Sequence, residues 1–285
     1  MNNSSVVITH YNRELNLRNT LIGLNKQSVP PAEVIVVNLG SDIDLPKNLD
    51  YPIALMTYPE EWTLMPIAAA RNLGAKYADN KNFIFLDVDC IPSEGFYQTM
   101  EADLNSTNGL VMGLPRYMLG KTVDCLPWDM LLSRSVLHPA RPKVCSLRKE
   151  TCYELFWSLC FGISKTSYER IGGFDENFVG YGGEDTDFAK TAEQLSIPFF
   201  LNAAVVYHQQ HPIYVPPLNH LEAIVANSNY YYSKWGEWPM QDCLTDFTNM
   251  AYIHWNAKHC SRIEIRKLPS QEKIREHLIP NAPYR

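Results

Sequence analysis

No stretch of this 285-residue chain approaches the ~20 consecutive apolar residues that a transmembrane helix needs. The first apolar run, Val6-Val7-Ile8 behind Met1-Asn2-Asn3-Ser4-Ser5, is far too short for the core of a signal peptide. The expected location is therefore the cytoplasm, with any membrane association peripheral. No CxxC pair occurs among the seven cysteines, which removes the pattern of a zinc ribbon or a dithiol redox motif. They stand scattered at Cys90, Cys125, Cys145, Cys152, Cys160, Cys243 and Cys260 and read as buried, reduced thiols. Positive charge is not in excess. With 25 Lys and Arg against 31 Asp and Glu the net charge is −6, the wrong balance for gripping a nucleic-acid backbone. Internal repeats and low-complexity segments are missing too. What remains is a globular composition, 46% apolar and 20% charged, at a length that fits one large domain or two small ones of about 150 residues each.

The first third alternates strand and helix. Val6–Thr9 reads as a strand ending in Thr9-His10-Tyr11-Asn12-Arg13, and Leu17, Leu21 and Leu24 then recur at helical spacing up to Pro30-Pro31. Val34–Val37 is a continuous β-branched run, the pattern of a strand buried on both faces, and it ends in the turn-like Asn38-Leu39-Gly40-Ser41-Asp42. Ile53–Met56 and Phe83–Leu86 are further strands, with an Ala-rich helix at Ile67–Ala78 between them. This alternation predicts an α/β fold with a mostly parallel central sheet flanked by helices, where ligands gather at the carboxyl ends of strands. From Pro115 to Thr151 the pattern weakens into irregular chain with some helix. Leu155–Ser164 is apolar again, Glu184–Leu195 is helical, Phe199–Tyr207 is a closing strand, and a helical tail runs from Leu218.

Three clusters of polar residues could carry chemistry. In Asp87-Val88-Asp89, residues two apart in extended chain project to one face, so both carboxylates can converge beyond the strand end and hold Mg²⁺ or Mn²⁺. The plainer alternative is a solvated pair of loop acids. In Gly182-Gly183-Glu184-Asp185-Thr186-Asp187 the glycines permit close backbone approach. Three acids in one helical turn exceed what the helix dipole requires, and their repulsion can raise one of them toward a working base. In Tyr207-His208-Gln209-Gln210-His211 the HxxH spacing lacks the further ligands of a zinc site, whereas one imidazole beside the aspartates is compatible with Mn²⁺. Tyr230-Tyr231-Tyr232 and Trp235-Gly236-Glu237-Trp238 could stack a sugar, but core packing explains them more simply.

Taken in order, these residues resemble a known family. A strand followed by Thr9-His10-Tyr11-Asn12-Arg13 and a helix ending Asn25-Lys26-Gln27-Ser28 resembles the opening of family 2 glycosyltransferases. Ala69-Ala70-Arg71-Asn72-Leu73-Gly74 followed by Phe85-Leu86-Asp87-Val88-Asp89 resembles the middle of that pattern. Gly172-Gly173-Phe174-Asp175-Glu176 through Gly183-Glu184-Asp185 is similar to the carboxyl-terminal half shared with β-1,4-galactosyltransferases. The matches run over roughly residues 5–212. The resemblance implies the nucleotide-diphospho-sugar transferase fold called GT-A, with a transferase domain at 1–215 (nucleotide-binding half 1–114, donor-sugar and acceptor half 115–215) and a helical extension at 216–285.

The resemblance also implies roles. Thr9, Tyr11, Arg13, Asn38, Arg71, Asp87 and Val88 would bind the donor nucleotide. Asp87, Asp89 and His208 would hold Mn²⁺ or Mg²⁺, with His211 expected to matter much less. Trp157, Tyr181 and Gly183 would face donor sugar and acceptor. Asp185 would be the catalytic base of an inverting transfer from a UDP-sugar to a glycan or lipid-linked glycan, with Glu184 beside it orienting hydroxyls. Two departures stand out. Asn38-Leu39 replaces the usual acidic pair, so an amide would have to meet uracil's imide edge, and Tyr181 stands where galactosyltransferases carry a tryptophan in a mobile loop. The competing readings are a retaining transferase resembling polypeptide N-acetylgalactosaminyltransferases, a haloacid-dehalogenase-type phosphatase, and a glycan-binding protein without activity.

Overall fold

The computed structural model describes residues 3–124 and 126–282, so Cys125 lies outside the described residues. Strands and helices alternate at first: β1 (Ser4–His10), α1 (Glu14–Asn25), β2 (Glu33–Asn38), β3 (Ile53–Thr57), α2 (Ile67–Tyr77) and β4 (Asn82–Asp87). There follow β5 (Cys90–Pro92), α3 (Phe96–Ser106), β6 (Leu110–Met118), α4 (Trp128–Ser133), β7 (Ser135–Leu137), β8 (Arg148–Glu150), β9 (Cys160–Ser164) and α5 (Lys165–Ile171). Next come α6 (Glu184–Gln194), β10 (Phe199–His208), β11 (Ile213–Tyr214), α7 (Leu221–Trp235) and α8 (Gln241–Asn249). The chain closes with β12 (Ile253–His254), β13 (Glu264–Ile265), α9 (Gln271–Glu276) and β14 (Leu278–Ile279). No helix among the described residues is long and apolar enough to cross a membrane.

The main sheet has the order β3-β2-β1-β4-β9-β6-β10-β5, with β7 added to β6 and β8 to β10. Its first four strands are parallel, and β6 pairs β10 in parallel, while β9 runs antiparallel between β4 and β6. The register places Thr9 opposite Asp87 and His10 opposite Asn38, so the polar ends of β1, β2 and β4 open on one edge of the sheet. Alternation decides the two cores. Val7, Ile35, Val37, Phe83 and Phe85 face one side, and Val6, Ile8, Val34, Val36, Ile84 and Leu86 face the other. Leu17, Leu21 and Leu24 of α1 are all buried against the second side, as their spacing predicts.

The sequence pattern leaves 90–114 unassigned and treats Pro115 as the start of irregular chain, yet β6 runs through it. Along one edge β9 pairs Leu110–Met112 and β7 pairs Arg116–Met118, so the proline falls between those two ladders, while on the other edge β10 pairs it at Val206. The thiols also differ from expectation. Cys90 and Cys160 are buried, but Cys145 and Cys152 are exposed on the irregular stretch around β8, and all six described cysteines are free.

The tail builds a third core of its own, in which Leu221, Ile224, Trp238, Leu244, Phe247 and Ile263 are buried. Its aromatic cluster serves packing here: Tyr232 stacks on Trp238 with ring centroids 4.0 Å apart.

Candidate active site

Three motifs distant in sequence meet at the carboxyl end of β4. Arg71, buried on α2, donates to Asp87 at 3.1 Å and to Glu184 at 3.3 Å, while its guanidinium lies 5.1 Å from the centre of the Phe174 ring. One cation thus joins the first aspartate of the DxD to the head of α6. Burial, then the neighbouring Asp185 charge, pushes the Glu184 carboxyl up to about 7, against the pull of Arg71. Gly183 caps α6 at φ +94°, and an added Cβ would stand 3.0 Å from the Phe178 ring, so glycine is required there on two grounds. Asp185 follows directly, its carboxylate accepting from the Thr186 N–H at 2.8 Å.

The next residue of Ala-Ala-Arg-Asn has a different task. Asn72 donates to the Phe174 carbonyl and to Glu176, both at 2.8 Å, and accepts from the Phe174 N–H at 2.8 Å and the Tyr168 hydroxyl at 2.6 Å. It clips the Gly172-Gly173-Phe174 turn, and a Cβ at Gly173 would approach its oxygen to 2.7 Å. Phe174 then stacks on Phe188 of α6 at 4.4 Å, carrying the clip into the helix that bears Glu184 and Asp185.

Asp89, His208 and His211 form a second focus. Their ligand atoms all lie within 4.8 Å of one another, with the His208 Nε2 at 3.5 Å and the His211 Nε2 at 3.6 Å from the Asp89 carboxylate. Arg13 also donates to Asp89. Burial foremost lowers His211 to about 4, helped by the charges of Arg13 and His208 and opposed by Asp89, so the ring is neutral with a lone pair to offer. The backbone sets this arrangement: Gln209 N–H donates to the Asp89 carbonyl at 2.7 Å, and the Gln209 side chain is tied to Asn16 and Asn19 of α1. The structure brings His211, expected to matter less, within reach of Asp89, and it pairs Asp87 with Arg71.

Other site residues fall as follows. Thr9 is buried at the end of β1, and Tyr11 meets Trp62 edge to face at 4.9 Å, making a wall that no motif announced. Trp62 is fixed in turn by donating to the Leu39 carbonyl at 3.2 Å. Asn38 is engaged within its own turn: its oxygen accepts from the Ser41 N–H and hydroxyl and contacts His10, and its nitrogen donates to the Ser41 carbonyl at 2.7 Å. The Val88 side chain packs in the core, and its carbonyl accepts from Thr20 at 2.9 Å. Trp157 lies beneath Arg141, and Tyr181 stacks on His220 at 4.6 Å with a 9° interplanar angle.

The extension reaches this site directly. Asn227 of α7 donates to the carbonyls of Val179, Tyr181 and Gly182 at 3.1, 3.3 and 2.8 Å. Lys234 and Trp235 both hold Asp187, at 2.8 and 2.7 Å, and Lys234 with Tyr230 holds Asp175, each at 2.9 Å.

Comparison with known proteins agrees with this architecture. Residues 5–125 match the glycosyl transferase family 2 model, and residues 143–205 match the one described as the N-terminal domain of galactosyltransferase. The chain is 27% identical over 219 residues to the validoxylamine A glucosyltransferase of Streptomyces hygroscopicus subsp. limoneus, covering 68% of this chain and 48% of that protein. It is 26% identical over 242 residues to the hyaluronan synthase of Pasteurella multocida, covering 73% and 24%. The chain thus spans about half or less of these curated relatives. Among solved structures it is similar to GalNAc-T7 with UDP, GalNAc and Mn²⁺ (TM-score 0.56, 19% identity, 81% of this chain and 50% of that one). It is also similar to S. aureus TarS 1-349 (TM-score 0.54, 16% identity, 80% and 64%). These likenesses define the fold as GT-A. The family matches give glycosyl transferase family 2 sequence at residues 5–125 and galactosyltransferase-like sequence at residues 143–205.

Proposed function

We propose that the chain transfers a sugar from a UDP-sugar to a hydroxyl of a glycan or lipid-linked glycan, with inversion and with the help of a divalent cation. The observation that carries this reading is the Arg71 bridge, which joins Asp87 at the end of β4 to Glu184 at the head of α6 through one guanidinium. In the reading, Thr9, Tyr11 and Arg13 line the nucleotide side, and Trp157, Tyr181 and Gly183 the sugar and acceptor side.

Asp89, His208 and His211 supply one carboxylate oxygen and two imidazole nitrogens, a donor set that suits Mn²⁺ better than the more oxygen-demanding Mg²⁺. A cation held there would offset negative charge on the departing diphosphate. The rest belongs to side chains. Asp185 accepts the proton of the acceptor hydroxyl while that oxygen attacks the anomeric carbon. The bond from that carbon to the phosphate oxygen breaks on the opposite face, and the electron pair leaves with UDP. Glu184, tied to Arg71, keeps the head of α6 in place and orients hydroxyls. The transferase region at 1–215 would work with the 216–285 extension as its brace.

The test is Asp185→Asn, which keeps shape and removes the base. Transfer should fall about 10²- to 10⁴-fold, with metal-dependent UDP affinity little changed and the anomeric configuration of the wild-type product opposite to that of the donor by NMR. Near-normal turnover in Asp185→Asn, or a retained configuration, would reject the base assignment.

A further inference from the structure

Arg141 sits on the loop between β7 and β8, in a stretch to which no motif gave a role. Its guanidinium carbon lies 3.1 Å from the centre of the Trp157 ring, and its Nη1 donates to the Leu155 carbonyl. Its Nε and Nη2 are buried and have no hydrogen-bond partner among the described residues. A guanidinium carries five N–H donors in one plane. Stacking on an indole covers the face of that plane, and with Nη1 already engaged the two unpartnered donors, Nε and Nη2, lie along its edge, the pair of N–H groups that can receive a carboxylate or phosphate in a two-pronged contact. Burying those donors without an acceptor is costly, so the arrangement calls for a partner that the described residues do not provide.

The surroundings say where that partner would come from. Asp185 and Tyr117 are both near enough to act on the charge of Arg141, which burial lowers to about 10 and leaves protonated at neutral pH. Trp157 meets His138 edge to face at 5.3 Å, His138 lies 6.0 Å from Tyr117, and Tyr117 lies 5.1 Å from His208. An unbroken run of rings thus leads from Arg141 to the histidines grouped around Asp89. The cation thus lies within electrostatic reach of the candidate base, and a run of ring contacts joins it to the candidate metal group.

We propose that Arg141, stacked on Trp157, binds an oxyanion of the donor, either the phosphate that departs or a carboxylate carried by the transferred sugar. The inference rests on the transferase reading above. A residue that merely closes the loop over Trp157 would instead act through stability alone.

The experiment measures binding of UMP, UDP, UDP-glucose and UDP-glucuronate to the full chain with Mn²⁺, by calorimetry, for wild type, Arg141→Gln and Arg141→Lys. Losing a charge-assisted contact should weaken the affected ligands by about tenfold or more in Arg141→Gln, with a smaller loss in Arg141→Lys, which keeps charge without the fork. If the partner is the departing phosphate, UDP and both UDP-sugars weaken together while UMP does not. If it is a sugar carboxylate, only UDP-glucuronate weakens, and the gap between it and UDP-glucose closes. Unchanged binding of all four ligands overturns the inference. So does a loss that includes UMP and tracks a lowered melting temperature. A wild-type chain that binds no uridine nucleotide overturns the donor reading itself, and this inference with it.

Discussion

Single side chains at this site are distinguished by how their polar atoms are used. His208 and His211 stand three residues apart, and only their shared approach to Asp89 makes them equivalent. Alanine at either position should therefore weaken Mn²⁺-dependent UDP binding by about tenfold or more, the scale at which even supporting residues of a metal site act. The check is thermal shift, since a ligand at 100 times its dissociation constant adds about 2.7 kcal/mol of apparent stability. A His211→Ala chain that keeps the full UDP and Mn²⁺ shift would return His211 to a packing role. Asn38 makes the converse case: its type suits base recognition, but its amide is largely consumed within its own turn.

Elements act here by holding one another's ends. Helix α7 braces the loop that leads into Gly183-Glu184-Asp185, through the carbonyls gathered on Asn227. Asn227→Ala leaves partly buried carbonyls without this donor, which costs about 1 kcal/mol. It should lower the melting temperature by a few degrees and reduce turnover more than UDP affinity, because the loop feeds the acceptor side. Asp175 provides a pH signature for the same contact. Burial opposes its charge, but hydrogen bonds from Lys234, Asn177 and Tyr230 outweigh burial and hold the carboxyl at about 2, below its ordinary 3.8. A depressed carboxyl stabilises the fold fully above that ordinary value and loses the contribution as pH falls toward 2, an effect of about 2 kcal/mol. Asp175→Asn should thus be less stable than wild type by about that much at pH 7, and the urea midpoints of the two should converge near pH 2. A gap that persists at low pH would mean that the loss comes from packing and not from charge.

At the scale of the whole molecule, the extension is bound to the α/β core by buried charge as well as by apolar contact. Removing residues 216–285 would strip Asp187, 2% exposed, of both Lys234 and Trp235, and would uncover Phe178, which packs on Tyr230 at 5.0 Å. Uncovering a buried phenylalanine alone costs about 1.5–3 kcal/mol, a large part of the stability of a typical domain, and the two contacts to Asp187 are lost with it. The 1–215 fragment should therefore lose its cooperative melting transition, as followed by circular dichroism. A fragment that melts like the full chain would show the extension to be an independent appendage.

Much of this protein follows from its sequence alone. Residue order decides the alternating first third, because β-branched runs and a three-to-four-residue leucine repeat can bury their faces in only one way each. The DxD and Gly-Gly-Glu-Asp clusters were legible for the same local reason, since both sit where a strand or helix begins or ends. Strand β6 was not, because Gly113 and Pro115 break its apolar pattern, and they are tolerated only through the partners on either side. The convergence of Arg71 on Asp87 and Glu184, the approach of His211 to Asp89, and the grip of Asn227 on a loop more than 40 residues away in the chain belong to the tertiary structure. Local pattern can state which residues carry charge and which faces are apolar. Which charge finds which partner depends on distances that exist only once the sheet has closed and the tail has packed against it.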